Sequence, residues 1–239
     1  VISGMDVEKL RNDLRNALSE GIIIPTEDGY KFAHDRIQQS AYSLIPEANK
    51  AATHLKIGRL LLKSGTGEKQ APQLFDIVDH YNQGQLLLDD EEKKQLLDLN
   101  VKAAQRAKNT SAFQHARIYI ETALGLLPEL SWKVSYELSL ELHTMAAEIS
   151  YLCSDVPAME VYVDKITEHA KQVKDTVKAN EIRVQGYISQ NRLSESLATG
   201  LELLKHFKIT FPSNPTLAHA VLALLQTKLV IGFRKAADL

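Results

Sequence analysis

A single cysteine, Cys153, stands in 239 residues. One thiol excludes an internal disulfide framework and any Cys-rich zinc site, and it fits a reducing compartment. Glycine and proline are scarce as well, 11 and 7 residues, and they fall between periodic segments rather than inside them. Neither sign of charge is in excess: 28 Lys and Arg against 30 Asp and Glu leave a formal net charge of −2. Such a surface has no global field to draw in nucleic acid or anionic lipid, so contacts of that kind must be local. There is no initiator methionine, no signal peptide and no apolar run of about 20 residues. The longest apolar stretch, Leu217–Leu225, stops at Gln226 and Lys228. What remains, with 44% apolar residues, predicts a soluble, cytoplasmic chain with a core of its own and no membrane span.

Strand-favouring residues are confined to one place. Ile22-Ile23-Ile24 and Tyr30-Lys31-Phe32-Ala33 flank Pro25-Thr26-Glu27-Asp28-Gly29, whose Asp-Gly pair is a tight-turn signal, and a short β-hairpin is expected there. Ahead of it, Leu10, Leu14, Ala17 and Leu18 carry helical spacing over residues 6 to 19, with Asp6 as N-cap and Gly21 as the residue that ends the helix. A further helix is expected from His34 to Leu44, stopped by Pro46. Helix, hairpin and helix make the back half of a winged helix, assigned to residues 1–48.

From Asn49 onward the pattern is helical. Residues 49–89 read as connecting helices, one of them within 70–88. An internal repeat then shows by superposition. Phe113, Ala116, Ile120, Ala123 and Leu127, shifted by 43, become Val156, Met159, Val163, Ile166 and Ala170. A further shift of 37 gives Leu193, Ser196, Gly200, Leu203 and Phe207, all small or apolar. Partner helices precede each set: Leu97 and Ala104, Leu140 and Ala147, Val177 and Val184. Three helix hairpins of about 40 residues predict a TPR-like α-solenoid over residues 90–239, so the expected class is mainly all-α. Residues 216–238 continue the helical pattern with no polar capping helix, which predicts that this chain is part of a longer one.

Few constellations carry chemistry. Ser64-Gly65-Thr66-Gly67-Glu68-Lys69 lacks the first glycine of a phosphate loop and follows a helix, so it reads as a linker. No H-E-x-x-H and no histidine pair at helical spacing points to a metal, and no nucleophile elbow is present. Cys153 reads as a packed thiol. Asp89-Asp90-Glu91-Glu92 opens a helix, where acids complement the macrodipole. No catalytic residue and no metal site is therefore assigned. His34-Asp35, at the junction of strand and helix, is the sharpest signal: Asp35 as a helix cap, and His34 either a donor reaching outward to a phosphate or a ring bonded to local backbone. Equivalent first-helix positions Asn100, His143 and Asn180 are candidates to line a groove for a protein or small-molecule partner. A DNA-binding regulator is the alternative reading of a winged helix. The helix over 6–19 opposes it, because Asp6, Glu8, Asp13 and Glu20 outnumber Lys9, Arg11 and Arg15.

The run Phe32-Ala33-His34-Asp35-Arg36-Ile37-Gln38-Gln39-Ser40-Ala41-Tyr42-Ser43-Leu44-Ile45-Pro46 resembles the segment after the STAND-type (AAA-type) ATPase module in large bacterial, especially cyanobacterial, signalling proteins that join a serine/threonine kinase to a sensor histidine kinase. Residues 54–61, 74–80 and 142–148 resemble the same family in the same order. The resemblance implies the winged-helix end of the ATPase followed by helical repeats. It also implies that Ala33-His34-Asp35 corresponds to a Met-His-Asp motif whose histidine meets the β-phosphate of ADP, with alanine here in place of methionine. His34 is then the candidate phosphate contact and Asp35 its support. ATP or ADP with magnesium would belong to an ATPase domain acting in cis, and the fragment itself would hold no cofactor and catalyse nothing.

Overall fold

The computed structural model describes residues 7–26, 29–64, 73–212 and 215–231. Asp6, the Glu27-Asp28 part of the turn and residues 65–69 of the Ser64–Lys69 linker lie outside the described residues. Mainly helical architecture with one short hairpin is what the chain adopts. Helix α1 (Val7–Ser19) leads into β1 (Ile23–Thr26) and β2 (Gly29–Phe32), paired antiparallel with Ile23 opposite Phe32 and Thr26 opposite Gly29. Helices α2 (Asp35–Ser43), α3 (Glu47–Ser64) and α4 (Leu74–Gln83) follow, then a 3₁₀ turn at Gln85–Leu87, α5 (Asp90–Asn109), α6 (Phe113–Gly125) and the four-residue α7 (Ser131–Val134). The described residues form two compact units that divide between Ser135 and Tyr136, inside the stretch expected as repeats. The second unit holds α8 (Tyr136–Leu152), α9 (Val156–His169), α10 (Val173–Ser189), α11 (Leu193–His206) and α12 (Leu217–Ile231).

In the first unit α3 pairs with α4 and α5 with α6. Small residues set these approaches. Gly58 of α3 faces the ring of Tyr81, which is buried to 2% exposure, and Gly84 at the end of α4 lies under Leu55. The Arg59 guanidinium grips Glu92 through two bonds of 2.7 Å, joining α3 to the first turn of α5. Asp89 caps α5 by accepting from the Glu92 amide at 2.8 Å, so this acidic run serves a helix start as its spacing predicts. The Tyr119 hydroxyl donates to Asp79 at 3.0 Å, and its ring stacks on Phe75, fixing α6 against α4. Burial and the neighbouring Asp79 push the Tyr119 phenol well above its ordinary value. Elements ahead of α3 contribute little to this core. Ile23 is their only buried apolar side chain among the described residues, and α2 buries none.

In the second unit α8 pairs with α9, α10 with α11, and α10 also packs on α8 and α9. Leu142, Ala146, Ala147 and Ile149 of α8 meet Val156, Met159, Val163 and Ile166 of α9 in a continuous core. Gly186 of α10 lies against Met159, where a Cβ would come within 2.8 Å of the sulfur. The register read from sequence holds through Ala170, while the third set opens to solvent: Leu193 and Phe207 are exposed. All described side chains of α12 are exposed too.

The hairpin turns share one design. Ser111, Ser154 and Asn191 have φ of 60°, 61° and 60°, and they are related by the same shifts of 43 and 37 as the helices. Each closes its helix with a paired amide motif: Ser111 N to Lys108 O and Ala112 N to Ala107 O, Ser154 N to Tyr151 O and Asp155 N to Ser150 O, Asn191 N to Ile188 O and Arg192 N to Tyr187 O. Lys208, at φ 62°, repeats the motif after α11, and Gly21 does so after α1, as its position predicts. Only Gly21 is free of the Cβ clash that this conformation imposes. Ser111→Gly, Ser154→Gly and Lys208→Gly are each expected to raise stability by about 0.5–1 kcal/mol, net of the added freedom of the unfolded chain. Asn191→Gly should gain least, because asparagine tolerates this region. Urea midpoints of the four variants check the ranking.

Candidate functional site

The β-hairpin ladder runs one residue past β2, with the Ala33 amide donating to Ile22 O at 2.9 Å, so extended backbone ends at His34. His34, at φ −144° and ψ 144°, is therefore the N-cap of α2, and its imidazole makes no capping bond. The expectation that Asp35 caps the helix is corrected: Asp35 is the first helical residue, where its carboxylate complements the helix dipole without closing the end. Both side chains are exposed. The Ile37 and Gln38 amides donate to the His34 carbonyl at 3.0 and 3.2 Å, so the first turn of α2 is closed by backbone alone.

The three groove candidates separate. Asn100 is 0% exposed and exchanges amide bonds with Asn82, at 3.0 and 2.8 Å, while also donating to Leu96 O. It is a core residue of the α4–α5 contact and lines no groove, because its helix face is covered on both sides. His143 is buried at 7%, its Nδ1 donating to Ser139 O at 2.7 Å and its ring edge set against Tyr162. Asn180 lines a cleft in company with Thr176, Arg183 and His206. Equivalent register thus goes with different exposure: Asn100 and His143 are buried and Asn180 is half-buried.

A cluster that no spacing rule reveals lies between α2, α3 and α4. The Tyr42 hydroxyl is 3.0 Å from His54 Nε2, and His54 Nδ1 is 2.7 Å from His80 Nδ1. These residues come from three helices and lie 12 and 26 positions apart, so only the tertiary fold joins them. They form part of the lining of a cleft of about 640 Å³ whose other walls include Phe32, Ile45 and Ile57. Burial holds both imidazoles below the ordinary histidine value, and for His80 the proximity of His54 adds to this while Asp76 and Asp79 oppose it. Burial depresses His143 likewise. Groups depressed in the folded state bind protons more readily when unfolded, so stability present at neutral pH is lost as pH falls through about 6.5 and below. Thermal midpoints measured from neutral to mildly acidic pH should fall accordingly, and a His54→Gln/His80→Gln variant should show a flatter profile.

Among the described residues no group of three or more His, Cys, Asp or Glu side chains is placed to hold a metal ion. Cys153 is half-buried just after α8. No described helix is long and apolar enough to cross a membrane.

Comparison with known proteins gives one relation. The chain is 26% identical over 201 residues to hybrid signal transduction histidine kinase G of Dictyostelium discoideum. The match covers 74% of this chain and 6% of that protein's length. No family profile and no solved structure matches. The relation supports a signalling-related role.

Proposed function

We propose that this chain is a non-catalytic regulatory and interaction segment of a multidomain signalling kinase, in which the helical hairpins bind a partner and the N-terminal helix–hairpin–helix couples that binding to the nucleotide state of an ATPase domain in cis. The observation that carries this reading is the similarity to a hybrid histidine kinase over three-quarters of the chain, matched to a small fraction of a much longer protein. A helix hairpin array joined to a helix–hairpin–helix suits such a role, because stacked hairpins offer broad surfaces to a partner. In this reading the ATPase domain supplies the nucleotide and magnesium chemistry. From this chain, His34 donates an imidazole N–H toward a phosphate oxygen and the α2 amides add backbone donors. Asp35 fixes the start of the helix. The exposed, uncapped setting of His34 fits that task.

Switching requires that the two nucleotide states differ in their contacts to this segment. A protein extended through the ATPase domain tests the coupling. His34→Ala is expected to speed ADP release by about tenfold, the equivalent of one charge-assisted hydrogen bond. Unchanged release would leave His34 a structural residue and the segment a binding scaffold.

A further inference from the structure

We propose that the cleft between β2, α2, α3 and α4 binds an organic amine in its protonated form, an ammonium carried on an apolar body, with His80 Nε2 accepting one of its N–H bonds. The site uses neither His34 nor a nucleotide and does not depend on the reading above.

The hydrogen-bonded chain along the cleft ends on one open atom. The Tyr42 hydroxyl meets His54 Nε2 and His54 Nδ1 meets His80 Nδ1, which leaves His80 Nε2 with no hydrogen-bond partner among the described residues. His80 lines the cleft and is only half-buried. An Nδ1···Nδ1 contact of 2.7 Å needs one donor and one acceptor, so the two neutral rings share one proton on that edge. Two arrangements satisfy the chain. In the first, Tyr42 donates to His54, His54 donates to His80, and His80 Nε2 carries an N–H. In the second, His80 donates to His54, His54 donates to the Tyr42 oxygen, and His80 Nε2 is a bare lone pair. A ligand that accepts selects the first, and a ligand that donates selects the second.

Charge decides between them. Burial keeps both rings neutral at pH 7, so the fixed charges are those of the side chains around them. From α2 comes Asp35, which lines the cleft and forms no ion pair among the described residues. From α4 come Asp76 and Asp79, whose field acts on His80 in the direction that favours positive charge. Asp79 also accepts from Tyr119 and keeps its charge. From α3 come Glu47 and Lys50, which pair with each other at 2.5 Å, the ammonium lying 4.8 Å from the Tyr42 ring centre. On β2, Lys31 alternates with Phe32 and so projects to the opposite face of the hairpin. Four carboxylates are thus set against one ammonium that is already paired, and this field attracts a ligand with a positive head. Phe32, Ile45 and Ile57 offer apolar surface to the rest of it, in a volume typical of small-molecule sites. Binding needs no covalent change: the amine enters protonated, one N–H turns to His80 Nε2, and the rings exchange no proton with water at neutral pH.

Calorimetric titration with four probes of similar shape tests this: 2-naphthylmethylamine, (2-naphthylmethyl)trimethylammonium, 2-naphthalenemethanol and 2-naphthoate. The first carries positive charge and N–H donors, the second charge alone, the third a neutral donor and the fourth the opposite charge. The amine should bind at least about tenfold more tightly than the alcohol and the trimethylated cation, and naphthoate should bind weakest. One proton added to the rings puts an N–H on His80 Nε2 in either arrangement, where it opposes the ligand. Amine affinity should therefore be flat near neutral pH and fall by up to about tenfold per pH unit below about 6.5. His80→Leu is expected to bring the amine down to the level of its trimethylated analogue and to remove that acid limb. Asp35→Asn, on the exposed α2, guards against a folding defect in the histidine variant: it should weaken the amine by about three- to tenfold and leave the alcohol unchanged. Naphthoate as tight as the amine, an amine no tighter than the alcohol, absence of amine binding, or an affinity that rises toward acid pH would each overturn the assignment.

Discussion

Tyr81→Ala is expected to lower the unfolding free energy by about 3–5 kcal/mol, the range for emptying a buried aromatic site. Tyr81 is 2% exposed and its ring fills the space left by the absent side chain of Gly58, whose notional Cβ would sit 2.7 Å from Tyr81 Cδ2. The pair is one packing unit contributed by two helices, so changes at its two ends should not add. Gly58→Leu alone overfills the contact and should cost about 1–3 kcal/mol. In Gly58→Leu/Tyr81→Ala the new side chain enters the vacated volume, and the double variant should be more stable than Tyr81→Ala alone. Chemical denaturation of the three proteins measures the coupling directly. A double variant whose loss equals the sum of the single losses would show that Gly58 and Tyr81 do not share a contact.

Asn100→Ala should be the second large loss, about 2–3 kcal/mol. The substitution removes three hydrogen bonds at a position with no exposure and leaves the half-buried Asn82 amide with no partner across the helix contact. Asn82→Ala should cost less, because Asn82 retains some access to water. Together the two should cost less than the sum, by about 1 kcal/mol, since either substitution alone already breaks the reciprocal pair. A partner-binding assay on the same variants is informative in the other direction. An Asn100 that acts in the core changes binding only as far as it changes the folded fraction.

Local chemistry was the legible part of this fold. Helical period, the two strands of the hairpin and the Gly21 helix end depend on residues within a few positions of one another, and the structure follows them to within a residue or two. The repeat was legible because the shifts of 43 and 37 keep small or apolar residues at matching helical positions. What was hidden depends on contacts across the chain. Gly58 is 23 residues from Tyr81 and His54 is 26 from His80, and no periodicity marks either pair. Asn100 shows a subtler limit. Its equivalence to His143 and Asn180 is sound, yet register fixes direction on a helix and not what lies opposite. Asp35 was displaced by one step for a similar reason: where a strand stops depends on its ladder partner, Ile22, which the strand-to-helix junction does not display.

The turns have a consequence for how such a chain can change in length. The two left-handed positions that open the series lie six residues further apart than the next two, and this excess is absorbed almost wholly by connections between hairpins: 126–135 is long and contains α7, whereas 170–172 is minimal. Hairpin turns stay invariant because each is a closed ring of paired amides that one extra residue would open. Insertions and deletions inherited by a lineage, or introduced by an engineer grafting a tag or a sensor, should therefore survive at 126–135 and fail at Ser111, Ser154 and Asn191. The array keeps phase by counting turns, and it lets the sequence between hairpins drift.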